Sequence, residues 1–242
     1  MSNSDMSRRE FNAAAAAGAV ALSAAGSAVA QVTERFDLVL RGGRVMDPET
    51  GFDQIANVGV KDGRIVAITT DPLEGGRQID ASGQIVAPGF IDTHFHWPRP
   101  MGNKHALLDG RTTVMDLEIG THGPLVDSWY AARVGANQIN YGCATAHEFA
   151  RTRVLDGITT EDAPEMLNHR GTDRTGWSHT RPDLEQGNEI LRLLDAGLAA
   201  GAAGIGSTLG YMRDGASARE VYEIQRVAAR YGRPCGFHFR YT

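Results

Sequence analysis

From Gly89 onward, short apolar segments alternate with segments of helical periodicity, and this alternation limits the chain to few folds. Such alternation is typical of repeated β/α units built around a parallel sheet. We predict strands at residues 90–93, 112–117, 139–145, 203–207 and 235–239. We predict helices at residues 124–134, 184–200 and 218–231. The polar stretch 151–183 is predicted to be loop with one short helix near 163–168.

The residues before Pro88 follow a different pattern. Apolar residues alternate with polar ones at 36–40, the segments 55–60 and 64–68 are predicted to be strands, and Asp62-Gly63 between them is a strong hairpin signal. The pattern predicts a small antiparallel β unit. We therefore divide the mature chain into a β-sandwich portion at residues 31–87 and an α/β domain at residues 88–242.

Residues 1–30 have the features of an export signal. The pair Arg8-Arg9 is followed by an Ala-rich apolar stretch and then by Ala28-Val29-Ala30, a small-residue cleavage pattern. The apolar stretch is shorter and weaker than the ~20 strongly apolar residues of a membrane span. We therefore predict a twin-arginine signal peptide, a periplasmic mature protein and no membrane span.

Composition narrows the function classes further. The formal net charge is −5 and the chain has no basic run, so we expect no nucleic-acid partner. Its two cysteines, Cys143 and Cys235, are too few for a disulfide scaffold. Both lie within predicted strands, where we expect them to be small buried apolar residues.

The sharpest chemical signal is the end of the first predicted strand of the α/β domain. Gly89-Phe90-Ile91-Asp92-Thr93 leads directly into His94-Phe95-His96. Alternate residues of a strand point to the same side, so the two imidazoles share one face. Two imidazoles at the carboxyl end of a strand are well placed to hold a divalent metal ion.

These features together resemble the amidohydrolase superfamily. The matching segments are residues 40–47, 62–65 and 88–96. The segments 140–147, 198–211, 227–232 and 238–240 resemble its N-acyl-D-amino-acid deacylase branch. The resemblance implies a TIM-type (β/α)₈ barrel, of which this chain would hold strands 1–5, preceded by part of a small antiparallel β-sandwich.

The resemblance also implies a metal site with one or two divalent ions. His94, His96 and His238 would be ligands, and zinc is favoured because imidazole and carboxylate suit it. The superfamily often takes a bridging lysine from strand four, and the deacylase branch takes a cysteine from the end of strand two. This chain has neither at those places. Glu118 stands near the cysteine position and is our predicted bridging ligand, with Asp116 as the rival.

Three further residues are predicted to serve the reaction or the substrate. Tyr211 matches a position near the scissile bond in the deacylase branch and would hydrogen-bond the developing oxyanion. His147 ends the third predicted strand, and Arg240 follows His238 closely. Both are predicted to line the substrate pocket.

The implied function is hydrolysis of an amide bond in a small N-acyl amino acid or related compound. A complete barrel uses ~250 residues, whereas 242 − 88 = 154 residues follow Pro88. We therefore expect a complementary C-terminal chain to supply strands six to eight. Two alternatives stay open: a cyclic-amide hydrolase similar to hydantoinases or dihydroorotases, which the missing strand-four lysine disfavours, and a non-catalytic half-barrel subunit or truncated fragment.

Overall fold

The computed structural model describes residues 35–96, 100–158, 170, 173–212 and 214–240. The chain divides into two compact units, with the boundary between Ala87 and Pro88. The predicted export signal at residues 1–30 and the predicted helix near 163–168 lie outside the described residues. Among the described residues, no helix combines the length and the apolar character needed to span a bilayer.

The first unit is a five-stranded sheet. Its strands are β1 (Phe36–Asp47), β2 (Phe52–Lys61), β3 (Arg64–Thr69), β4 (Gly75–Asp80) and β5 (Ile85–Val86). β1 and β2 pair antiparallel, as do β2 and β3, whereas β4 and β5 join β1 in parallel. The predicted antiparallel unit thus also contains parallel pairings.

The hairpin between β2 and β3 follows the sequence prediction. Asp62 and Gly63 both have positive φ, at 51° and 71°. Two successive positive φ values are what a two-residue hairpin turn requires, and Asp-Gly adopts them at low cost. The Asp62 amide also donates a hydrogen bond of 2.7 Å to Asp37 Oδ2, which ties the turn to β1.

The second unit is built on a five-stranded sheet in which every strand pair is parallel. Its strands are β6 (Phe90–Asp92), β7 (Arg111–Thr121), β8 (Asn140–Ala146), β9 (Ile205–Ser207) and β10 (Cys235–Phe237). They lie side by side in chain order. All five carboxyl ends therefore meet at one edge, so chain segments that follow different strands come together there.

Helices connect and cover these strands. They are α1 (Pro100–Leu108), α2 (Val126–Ala131), α3 (His147–Asp156), α4 (Gly176–His179), α5 (Leu184–Ala199) and α6 (Ala218–Arg230). α5 begins with a capping box, because Asp183 and Gln186 bond each other's backbone amides. Its buried residues Ile190 and Leu194 form one apolar core with Ile205 of β9 and Ile224 of α6.

Three helices depart from the sequence prediction. α1 is not predicted, α4 lies in the stretch predicted to be loop, and α3 extends to Asp156, so the prediction of loop from Arg151 onward is wrong at its start. α3 has almost no apolar periodicity because its buried side chains include Glu148, Arg151 and Thr152. A buried helix face made of charged groups gives no signal to a method that reads apolar spacing.

Candidate metal centre

His94 and His96 lie directly after β6, at the carboxyl edge of the parallel sheet. The Phe95 amide bonds the Met115 carbonyl, and the Leu117 amide bonds the Thr93 carbonyl, so β7 holds this segment in extended form. The two Nε2 atoms are 3.1 Å apart, and the rings meet edge to face with centroids 4.8 Å apart. Two ring nitrogens therefore converge on one point.

Glu118 of β7 supplies a carboxylate to the same point. It is 7% exposed. Its Oε2 contacts His94 Nε2 and lies 3.3 Å from His96 Nε2. The ligand atoms of these three residues lie within 4.8 Å of one another, a grouping able to hold a metal ion.

His238, the residue after β10, contacts the other oxygen of Glu118. Its Nδ1 approaches Glu118 Oε1, while its backbone amide donates a 2.9 Å hydrogen bond to the Ser207 carbonyl. The Glu118 carboxylate therefore lies between two groups of imidazoles, one on each oxygen. This is the arrangement of a carboxylate that bridges two positions.

An irregularity in β7 places Glu118 there. The pairing of β7 with β8 is interrupted between Asp116 and Thr121. Interruptions of this kind re-aim side chains next to active sites. A Cβ at Gly206 would lie 2.5 Å from the Glu118 carbonyl oxygen, and one at Gly236 would lie 2.1 Å from that of Leu117. Glycine in β9 and β10 thus lets this part of β7 approach closely.

Asp116, the rival to Glu118, takes a different position. It is buried, and its Oδ1 accepts a 3.0 Å hydrogen bond from the Ile119 amide. The same oxygen lies 3.3 Å from His96 Nδ1. It therefore contacts the ring nitrogen that faces away from Glu118, which is where a carboxylate orients a ligand imidazole.

Tyr211 ends a short 3₁₀ turn, Leu209–Tyr211, after β9. Its ring stacks on the His238 ring, with centroids 4.8 Å apart and planes 26° apart. The side chain is 48% exposed. The Tyr211 phenol therefore lies next to an imidazole of the cluster and is half exposed.

Comparison with known proteins adds a family context. No protein-family model matches the chain. An N-acyl-D-glutamate deacylase of Alcaligenes xylosoxydans xylosoxydans is 30% identical over 218 residues, which cover 86% of this chain and 44% of that protein. A dihydroorotase of Streptococcus pneumoniae serotype 4 is 46% identical over 132 residues, or 54% of this chain and 28% of that protein. The chain thus spans less than half the length of these relatives.

A solved structure agrees over a similar range. The N-acyl-D-glutamate deacylase of Bordetella bronchiseptica, crystallised with zinc and a phosphonate inhibitor, has a TM-score of 0.66 and 26% identity. The match covers 86% of this chain and 46% of that one. The chain is similar to the deacylase branch of the amidohydrolase superfamily. The resemblance predicted from its motifs is confirmed, and the parallel sheet fits part of an amidohydrolase barrel.

His147 and Arg240, the two predicted pocket residues, both have protein partners in the structure. His147 is fully buried, with Nδ1 2.8 Å from Ser207 Oγ and Nε2 2.9 Å from Glu220 Oε1. Because both ring nitrogens already have protein partners, its surroundings argue against the predicted substrate contact. Arg240 donates a hydrogen bond to the Ala216 carbonyl, so its role in the pocket stays a prediction.

Two further groups were not singled out from the sequence, Arg170 and His122. Arg170 forms a two-pronged ion pair with the buried Glu148 and lies against the Tyr211 ring. His122 is buried, and within the described part of the chain neither of its ring nitrogens has a hydrogen-bond partner. Burial, with a smaller effect of the Arg153 charge, lowers the pKa of His122 to about 4. Neither residue lies in a recognisable motif.

Proposed function

We propose that the protein containing this chain is a metal-dependent hydrolase of amide bonds in N-acyl amino acids or related small molecules. The observation that carries the proposal is the position of the Glu118 carboxylate, which lies between the His94–His96 pair and His238. The similarity to N-acyl-D-glutamate deacylases along most of the chain supports the same reaction class.

The donor set suits zinc. Two imidazole nitrogens and a carboxylate oxygen are one of the three-residue ligand sets of catalytic zinc sites, in which a further position stays open. Glu118 Oε1 faces His238, so one carboxylate would join two ion positions. We therefore propose one or two divalent ions held by His94, His96, Glu118 and His238. A deacylase neighbour crystallised with zinc is consistent with this choice.

When bound, a divalent cation supplies a Lewis acid for the amide carbonyl and brings the pKa of water toward neutrality. The chain's own residues orient this chemistry. Asp116 holds the His96 ring through Nδ1, and the Tyr211 hydroxyl donates a hydrogen bond to the carbonyl oxygen as it gains negative charge. In the deacylase resemblance, an aspartate at strand eight moves the proton, and no residue of β6 to β10 is assigned that role.

We further propose that β6 to β10 correspond to barrel strands one to five, with strands six to eight supplied from outside the chain. The relatives support this, because the chain covers only 44% of the matching deacylase. A longer protein or a complementary chain would serve equally. Either would cover β6 and β10, the two edge strands of the parallel sheet.

A cyclic-amide hydrolase is the second candidate. The 46% identity to a dihydroorotase over 132 residues favours it. The absence of lysine from β9, Ile205–Ser207, disfavours it, because the superfamily's bridging lysine comes from that strand. Measuring ring opening of dihydroorotate and hydantoin beside release of free amino acid from N-acyl-D-amino acids separates the two candidates.

We also propose that the protein is exported to the periplasm. The support is the Arg8-Arg9 pair followed by Ala28-Val29-Ala30. Replacing both arginines with lysine should leave the protein in the cytoplasmic fraction with its first residues uncleaved. Unchanged periplasmic recovery of the double variant contradicts this route.

The metal proposal is tested by zinc content after dialysis, compared between the wild type and Glu118→Ala. We expect the variant to lose most of its zinc together with amidase activity, because it removes the shared carboxylate. Glu49→Ala, at an exposed turn of the first unit, is the matched control and should keep both. Unchanged zinc in Glu118→Ala would remove Glu118 from the site. Full amidase activity in metal-free protein would overturn the proposed function.

A further inference from the structure

Arg170 is fixed in place by a buried carboxylate. Its Nε and one terminal nitrogen donate to the two oxygens of Glu148, each at 2.6 Å. Glu148 lies in the first turn of α3 and is 1% exposed, and it also accepts a hydrogen bond from the Thr208 hydroxyl. A two-pronged pair of this kind sets the plane of the guanidinium as well as its position.

The fixed guanidinium lies against Tyr211. Its central carbon is 4.5 Å from the centroid of the Tyr211 ring and 5.8 Å from that of Trp177. These distances are in the range of cation–π attraction. Tyr211 in turn stacks on His238, and Thr208, at the start of the Tyr211 turn, bonds the same Glu148. Glu148 therefore contacts both Thr208, which begins the turn, and Arg170, which lies against the Tyr211 ring.

The electrostatic surroundings of Arg170 agree with this position. Burial alone lowers the pKa of the Arg170 guanidinium. The hydrogen bond to Glu148 and the charges of Glu148, Tyr211 and Glu118 outweigh burial and raise the pKa overall. Arg170 is thus charged and lies within electrostatic reach of both Tyr211 and the cluster.

We propose that Arg170, held by Glu148, is a positioning residue that fixes the Tyr211 ring against His238 and thereby sets where the Tyr211 hydroxyl lies. Tyr211 is half exposed, and within the described part of the chain its ring lies against Arg170 and His238. The consequence for catalysis rests on the proposed function, whereas the effect on the Tyr211 ring does not.

The test combines ¹⁹F NMR of the 3-fluorotyrosine-labelled protein with kinetics of the metal-loaded protein. The Tyr211 resonance is assigned by its loss in Tyr211→Phe. In Arg170→Met we expect this resonance to shift or broaden while the other tyrosines stay unchanged. Arg170→Lys should restore the Tyr211 resonance only in part, because an ammonium group can neither form a bidentate ion pair nor stack flat on an aromatic ring.

Kinetics then ask whether Arg170 acts through Tyr211. We expect Arg170→Met to lower kcat about tenfold, less than the ~100-fold loss expected from removing an oxyanion donor with Tyr211→Phe. In the Tyr211→Phe background, Arg170→Met should change kcat less than about twofold, because coupled residues are not additive. Arg192→Met is the matched control, since it breaks a two-pronged pair with Glu189 that is exposed.

Two outcomes overturn the proposal. One is an unchanged Tyr211 resonance in Arg170→Met. The other is a double variant, Arg170→Met/Tyr211→Phe, whose fold-loss in kcat equals the product of the losses in the two single variants. If Arg170→Met fails to fold because Glu148 is left charged and buried, the double variant Arg170→Met/Glu148→Gln removes that charge and is measured instead. If the protein has no amidase activity, the proposed function fails, and the resonance still decides the position of Tyr211.

Discussion

Among the described residues of the second unit, histidine and glutamate meet at two places with opposite surroundings. At the candidate metal centre, His94, His96 and His238 converge on the Glu118 carboxylate, and the side chain of His94 is 64% exposed. In the network behind β8, His147 and Glu220 are buried and Arg151 joins them at 2.5 Å from Glu220 Oε1. The same residue types form an open cluster in one place and a closed network in the other.

The difference shows what separates a ligand site from a structural network. In the network each His147 nitrogen has its own partner, and Arg151 supplies positive charge to the carboxylate. Burial by itself raises the pKa of Glu220, but the His147 and Arg151 contacts outweigh it and lower that pKa overall. At the cluster, several nitrogens converge on one carboxylate, and the ligand atoms of His94, His96 and Glu118 lie within 4.8 Å of one another, close enough to hold a metal ion.

The largest expected effect comes from breaking the closed network. Arg151 donates to Glu220 and to the Trp177 and Thr180 carbonyls, at 2.5–2.7 Å. Arg151→Met leaves these acceptors buried without their donor, so we expect a loss of about 3–5 kcal/mol in the free energy of unfolding. Denaturant titration measures it, and zinc content of the folded fraction should not change.

Arg192→Met serves as the control for this prediction as well, because it breaks an exposed ion pair with Glu189. A loss within ~0.5 kcal/mol is expected there, since exposed pairs contribute little. If Arg151→Met also lowered the free energy of unfolding by only ~0.5 kcal/mol, the network would not be a stabilising element. If its folded fraction lost zinc, the network would not be separate from the metal site.

The strand that leads into His94 and His96 was predictable, because apolar spacing and the His-x-His motif are both local signals. The roles of Glu118 and Asp116 could not be separated from the sequence, since both face the same side of β7. The interruption of β8 pairing after Asp116, and the room left by Gly206 and Gly236, give the two carboxylates different surroundings in the folded chain. These are contacts between strands far apart in the chain.

The closed network was missed for a related reason. His147, Arg151 and Glu220 belong to two helices separated by about seventy residues, and their pairing shows only in the folded chain. His147 was predicted to be a pocket residue because it follows a strand, which is a correct local observation. Its burial between Ser207 and Glu220 depends on β9 and α6, which the local sequence does not specify.

A third kind of histidine sharpens the comparison. His122 is buried, and among the described residues neither of its ring nitrogens has a hydrogen-bond partner. Its burial lowers its pKa to about 4. The imidazole of His122 takes up a proton near pH 6.5 in the unfolded chain, but only near pH 4 in the folded chain. Stability should therefore fall as the pH drops from about 6.5 to 4, by at most about 3 kcal/mol from this residue.

The measurement is the free energy of unfolding of wild type and His122→Gln across pH 4 to 7. The variant cannot titrate, so it should lose this part of the acid dependence, whatever its stability at pH 7. His105→Gln, in α1, is the control and should keep the wild-type slope. An unchanged slope in His122→Gln would show that His122 has a partner or takes up its proton as freely in the folded chain.

The smallest expected effect tests the edge of the candidate centre, where Asp116 contacts His96 Nδ1 at 3.3 Å but does not reach the shared point. Asp116→Asn keeps the shape of the side chain and removes the charge that orients the imidazole. Replacing such a supporting group weakens metal binding by about 10–100-fold, whereas Glu118→Ala should abolish most of it.

Competition with a zinc chelator gives the affinity, and a loss as complete as that of Glu118→Ala would make Asp116 a ligand. A loss below about twofold would show that Asp116 does not orient His96. An intermediate loss would show that β7 has two roles. It provides the shared carboxylate of Glu118 and, two residues earlier, the Asp116 carboxylate that orients His96.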